Sequence, residues 1–190
     1  MPAPLTVAIL AGGGSSRMGV DKTGLEIDGI TLLDHVLAAA GDLPVVVVGR
    51  SHSRVTSIPD PAPIRRGPLA GLVAALDACG GPVLLVGADQ PWLRPATLQA
   101  LAAAAATDLP TAPVDGGVRQ VLCAVYPATV LAVARSLLEA GRGPQAVLDL
   151  GCAEITAEVW QGWGEDGRSW FSVNTAAALD EGLRRYGRPR

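Results

Sequence analysis

The sequence predicts a single Rossmann-like domain, three α/β/α layers around a mostly parallel sheet, spanning residues 1–190. Three observations carry that expectation. Short β-branched runs end in glycine or proline, as buried parallel strands do. Helical patterns stand between those runs, the βαβ order that requires right-handed crossovers and a parallel sheet. With 49% hydrophobic and 17% charged residues the chain can build one core. At this length roughly 70% of the unfolded chain's surface can be buried.

Residues 5–10, 44–48 and 83–86 are the three apolar runs. Residues 31–40 carry apolar positions at helical spacing behind Thr31, whose hydroxyl suits a helix N-cap. Residues 69–78, rich in alanine and leucine, follow Pro68 at a first turn, and residues 95–106 begin with Pro95 in the same way. Farther on, residues 121–126 read as a strand, 128–140 and 145–150 as helices, and 170–173 as a last strand. Asn174 or Thr175 can cap a terminal helix through Arg185. Residues 60–63 and 161–168 are loops, neither long enough to separate domains.

Composition excludes several classes of function. A net charge of −3 provides no global positive field for a nucleic acid polymer, so any polyanion bound is small. The best apolar stretches, residues 44–48 and 98–106, fall well short of a membrane span. The first ten residues have no basic flank or cleavage site of a signal peptide, which points to the cytoplasm. Cys79, Cys123 and Cys152 are too widely spaced for a disulfide framework or a metal pair, and read as small apolar groups. Of the 15 Lys+Arg residues one is a lysine, Lys22, in a glycine-rich loop. Either chance or the need for a compact ammonium explains it.

Ligands of such sheets bind beyond the carboxyl ends of the strands. The first strand runs into Leu10-Ala11-Gly12-Gly13-Gly14-Ser15-Ser16-Arg17-Met18-Gly19-Val20-Asp21-Lys22. Consecutive glycines let backbone N–H groups approach an anion, and Arg17 and Lys22 add full charges, so the loop can cradle phosphate. A Walker A loop fails, because Lys22-Thr23 comes two residues too late after Gly19. The dinucleotide fingerprint fails at Arg17, where a third glycine belongs, and Gly49-Arg50 replaces the ribose-binding acid. A glycine-rich surface turn is the alternative.

This loop resembles the signature of the nucleotidyltransferases that activate sugars or cofactors with a nucleoside triphosphate, and most of all that of the molybdenum cofactor guanylyltransferases. The resemblance implies a loop wrapped around the triphosphate, with Arg17 and Lys22 on its phosphates. It also implies contacts to the nucleotide from Leu10, Ala11, Gly12 and Gly13. Gly67-Pro68-Leu69-Ala70-Gly71 is similar to the family's base-selecting segment, and its pairing with the Leu-Ala-Gly-Gly loop resembles the members that use GTP. Taken alone, Gly67-Pro68 is an ordinary helix start.

Asp89 follows the third apolar run, and Asp89-Gln90-Pro91 resembles the family's metal-binding step. That implies Mg²⁺, which takes one or two carboxylates together with substrate phosphates. A turn or helix-capping aspartate is the alternative. The stretch around Gln120 resembles the acceptor-binding segment, although Val121 stands where the family often has proline. Phe171-Ser172-Val173-Asn174-Thr175 resembles a closing motif of two alternating asparagines, in which Asn174 matches and Ser172 departs. Asn174 is therefore an acceptor-binding candidate or a helix cap. Arg65-Arg66 stands where the family tends to be acidic, so a second carboxylate near the metal is not indicated.

The implied reaction is transfer of GMP from GTP to the terminal phosphate of molybdopterin or Mo-molybdopterin, with molybdoenzymes or their chaperones as possible recipients of the product. A cytidylyltransferase, a sugar-phosphate nucleotidyltransferase and a nucleotide-binding regulatory domain without turnover are the competing readings.

Overall fold

A computed structural model describes residues 4–12, 25–59 and 67–189. In chain order the strands are β1 (Thr6–Leu10), β2 (Glu26–Ile27), β3 (Ile30–Thr31), β4 (Val45–Val48), β5 (Thr56–Ile58), β6 (Val83–Gly87), β7 (Thr111–Asp115), β8 (Val118–Arg119), β9 (Ala124–Tyr126) and β10 (Ala153–Ile155). The helices are α1 (Leu32–Ala40), α2 (Gly67–Cys79), α3 (Pro95–Ala104), α4 (Leu131–Glu139), α5 (Gln145–Asp149), α6 (Ala157–Gly162) and α7 (Ala176–Tyr186).

The main sheet has the order β10-β7-β9-β6-β1-β4-β5, with β8 on β7. From β1 the chain winds outward through β4 and β5, then returns to place β6 on the other flank of β1, all four parallel. The winding therefore reverses between β1 and β6, so the carboxyl edge of these two strands is the crevice position at which α/β sheets bind ligands. The period-2 alternation of these strands fills both layers. Val7, Ile9, Leu84 and Val86 face a core shared with Val36, Leu98 and Leu101. Ala8, Val83 and Leu85 face the other, with Leu69, Leu72 and Leu76.

The sheet is mostly parallel, as expected, and its antiparallel part lies beyond β6, where β9 runs antiparallel to both β6 and β7. It comes back from β7 through the short β8 turn, and antiparallel neighbours need no helical crossover. Only Ala124–Tyr126 of the expected 121–126 strand is extended, since Cys123 sits at φ 107, which turns the chain just before the ladder. Residues 170–173 form no sheet strand: a 3₁₀ turn, Arg168–Trp170, leads into an extended segment that lies along the β6 loop. Strands β5, β7 and β10 and helix α6 had no sequence expectation. Pro113 within β7 argues against a strand when read locally.

The caps agree with local chemistry. Thr31 Oγ1 accepts from the Asp34 N–H at 3.1 Å and donates to Asp34 Oδ2 at 2.7 Å. That hydroxyl first, with Arg54 and His52 nearby, holds the Asp34 carboxyl below its ordinary range against the opposing effect of burial. Thr175, rather than Asn174, caps α7 by accepting from the Ala178 N–H. Cys123 is buried while Cys79 and Cys152 are half-buried, and burial pushes all three thiols up, away from nucleophilic thiolate.

A buried carboxylate ties α3 to the loop after α6. Glu165 is 3% exposed and accepts from the hydroxyls of Thr97 and Ser169 and from the N–H groups of Asp166, Gly167 and Ser169. Glu165→Ala strands these buried donors, and is expected to cost about 3 kcal/mol. The melting temperature should fall by roughly 6–12 °C in a thermal scan.

Candidate active site

The end of β1 is locked to its two neighbours. Ala11 and Gly12 donate their N–H groups to the Val48 carbonyl at 2.9 and 3.1 Å, and the Ala88 N–H donates to the Leu10 carbonyl at 3.0 Å. Gly49 sits at φ +88, and a Cβ there would stand 2.5 Å from Gly12 Cα. Glycine at 49 thus lets the β4 turn lie directly against the start of the glycine loop. In the sequence Gly49 stands where a dinucleotide fold would carry its ribose-binding acid. A glycine directly after a β-branched strand was the available signal of close backbone approach.

Helix α2 brings in the second nucleotide-binding candidate. Gly71 packs against the Leu10 side chain, so its first turns stand beside the β1 terminus. Gly67 and Pro68 are exposed at the helix start while Leu69, Ala70 and Gly71 are buried. The Leu10 side chain therefore meets the first turns of α2 at Gly71. Gly13, Arg17 and Lys22 lie outside the described residues, as do Arg65 and Arg66.

Asp89 lies at the same carboxyl edge, two residues past the end of β6 and next to Ala88, which is bonded to Leu10. It caps no helix, because the N-cap of α3 is Arg94. Ser172 donates to Asp89 Oδ2 at 2.6 Å, and the Val173 N–H donates to the Asp89 carbonyl at 2.7 Å. Oδ1 lies over Gly87, where any side chain would strike it. Gln90, only 2% exposed, clamps the turn: its Oε1 accepts from the Gly87 N–H at 2.7 Å and its Nε2 donates to the Leu122 carbonyl at 3.1 Å. Sequence offered no sign of this, since glutamine is usually an exposed residue.

Among the described residues no group of three or more His, Cys, Asp and Glu side chains could hold a metal. A lone hard-oxygen donor at the crevice still fits a cation that completes its shell with phosphate oxygens and water. Asp89 is such a donor. Gln120 hydrogen-bonds within its own hairpin, N–H to the Pro113 carbonyl and Nε2 to the Val118 carbonyl. Two residues later, Leu122 reaches the Gly87 turn. Asn174 donates to Ser172 Oγ at 3.1 Å and so belongs to the Asp89 cluster.

Known proteins identify the family. A family profile described as "MobA-like NTP transferase domain" matches residues 7–156. The chain is 32% identical over 185 residues to a protein of Chloroflexus aggregans, covering 88% of each. It is 34% identical over 149 residues to one of Opitutus terrae, covering 72% of this chain and 73% of that protein. Both are named "Probable molybdenum cofactor guanylyltransferase". Molybdopterin-guanine dinucleotide biosynthesis protein A from Archaeoglobus fulgidus shares the fold, with TM-score 0.80 at 23% identity over 94% of this chain and 97% of that one. The profile match takes in β1, the α2 turn and Asp89 alike, and the chain belongs to the MobA-like NTP transferase family of enzymes.

Proposed function

We propose that residues 1–190 act as a single nucleotidyltransferase domain that moves GMP from GTP to the terminal phosphate of molybdopterin or Mo-molybdopterin, releasing pyrophosphate. The observation that carries this reading is the contact of Leu10 with Gly71, which joins the end of β1 to the first turns of α2, while the Ala88 N–H beside Asp89 bonds the Leu10 carbonyl. The names of the relatives support the same substrates. GTP as donor fits a cytoplasmic setting. Among the described residues no helix is long and apolar enough to cross a membrane.

The acceptor phosphate attacks the α-phosphorus of GTP in line, its new P–O bond forming as the bond to the pyrophosphate breaks. That nucleophile is anionic near neutral pH, so no general base is required. The two histidines are engaged elsewhere, His35 on the Ile27 carbonyl and His52 on Asp34. Leu10, Ala11, Gly12 and Gly13 with Gly67, Pro68, Leu69, Ala70 and Gly71 bind the nucleotide and read its base. Arg17 and Lys22 neutralise charge on the leaving pyrophosphate. Bound Mg²⁺ supplies further charge neutralisation on the triphosphate, and Asp89 is the residue that would hold it. Gln120 and Asn174 are the acceptor-side candidates, and molybdoenzymes or their chaperones the receivers of the product.

Competition assays test the base assignment. GTP is expected to be preferred over CTP by at least about tenfold in kcat/KM, or about 1.4 kcal/mol. Equal use of CTP would remove the guanine assignment and leave a cytidylyl or sugar-phosphate transferase standing. No pyrophosphate release with GTP, Mg²⁺ and acceptor present would favour a regulatory nucleotide-binding domain.

A further inference from the structure

Residues 171–174 run extended and unpaired by any sheet strand, yet they are held on both sides. The Val173 N–H bonds the Asp89 carbonyl at 2.7 Å, and the Val173 side chain is fully buried. Phe171 meets the Trp92 ring edge-on, with centroids 5.7 Å apart, and Trp92 follows Asp89 by three residues. In an extended segment alternate side chains share a face, so Ser172 and Asn174 point the same way, opposite to Val173. That face meets the Asp89 carboxylate.

The hydrogen bonds there have one consistent direction. An ionised carboxylate only accepts, so the single hydroxyl proton of Ser172 goes to Asp89 Oδ2 at 2.6 Å. Ser172 Oγ then accepts, and the Asn174 amide supplies the donor at 3.1 Å. The terminal carboxyl torsion of an aspartate is soft. With Oδ2 held by Ser172 and Oδ1 turned over Gly87, the carboxylate plane has one orientation. Among the described residues Ser172 is the one side chain that hydrogen-bonds this carboxylate.

We infer that Ser172 is a positioning residue: oriented by Asn174, it fixes the Asp89 carboxylate in the attitude that receives the nucleotide-bound divalent cation. This rests on the reading of Asp89 as the metal-holding residue. Among the described residues no group of three or more His, Cys, Asp and Glu side chains surrounds this carboxylate, so its own orientation gains weight in receiving a cation that also binds phosphate. Groups that orient a metal ligand typically matter by 10- to 100-fold in affinity.

The test measures GTP binding by calorimetry without acceptor, once with Mn²⁺ and once with EDTA, for the wild type and for Ser172→Ala, Ser172→Asn, Asp89→Asn and the Asp89→Asn/Ser172→Ala double variant. Ser172→Ala is expected to weaken binding of the Mn²⁺–GTP complex about tenfold. Binding of GTP in EDTA and the melting temperature should stay at wild-type values. Ser172→Asn, which restores a donor, should recover most of the loss, and the double variant should bind Mn²⁺–GTP no more weakly than Asp89→Asn alone. Unchanged Mn²⁺–GTP affinity in Ser172→Ala beside a weakened Asp89→Asn would overturn the positioning role by itself. So would an additive loss in the double variant, or equal weakening with EDTA. An Asp89→Asn variant that binds Mn²⁺–GTP as tightly as the wild type would sink the metal reading and the inference with it.

Discussion

Asp89→Asn is expected to reduce Mg²⁺-dependent product formation by about 10³-fold while the protein melts as the wild type does. An amide is nearly isosteric with a carboxylate, and its oxygen can still accept from Ser172, so the contact at 2.6 Å that seats the residue survives. The Gly87 turn is clamped by Gln90 rather than by the Asp89 side chain, which leaves the local fold independent of the substitution. What is lost is the anionic oxygen. A capping role would predict no loss at all, but α3 starts at Pro95 behind Arg94, and Asp89 has no part in its N-terminus. Initial rates across a magnesium titration, run beside a melting curve, decide the matter: wild-type turnover in the variant would move the metal site elsewhere.

Lys22→Ala is expected to lower turnover by about 10² to 10³, the usual effect of removing one preorganised group that stabilises developing charge. Lys22 lies outside the described residues, so the expectation rests on the family match and on the place where its loop begins. That place is well defined: Gly12 is bonded to Val48 and backed by Gly49 at the mouth of the crevice. Lys22→Arg should also be impaired, because a planar guanidinium fork does not replace a compact ammonium in a glycine-rich loop. Circular dichroism with initial rates checks both variants, and near-wild-type rates for Lys22→Ala would take Lys22 out of the mechanism.

Local sequence determined the parallel half of the molecule. The β1, β4 and β6 strands are β-branched runs flanked by glycine or proline, and α1, α2 and α3 open on Thr31, Pro68 and Pro95. Propensity, pattern and capping all agree there, so each element can be read without knowing its neighbours. The same holds for the candidate site segments, because Leu10 to Gly12, the Gly67–Gly71 turn and Asp89 each sit at the end of a legible strand or the start of a legible helix.

Tertiary structure decided other elements. Strands β5, β7 and β10 are three to five residues long, and their extended form comes from a partner strand rather than from their own composition. Residues 170–173 have the apolar look of a strand, yet aromatic packing on Trp92 and a backbone bond to Asp89 hold them outside the sheet. The contact of Ser172 with Asp89 joins residues 83 positions apart. A hydrogen bond over that separation depends on how loops from β6 and before α7 are brought side by side, which no local pattern encodes. Sequence thus marked the segments proposed to bind a nucleotide and a metal, and only packing determined which way the Asp89 carboxylate faces.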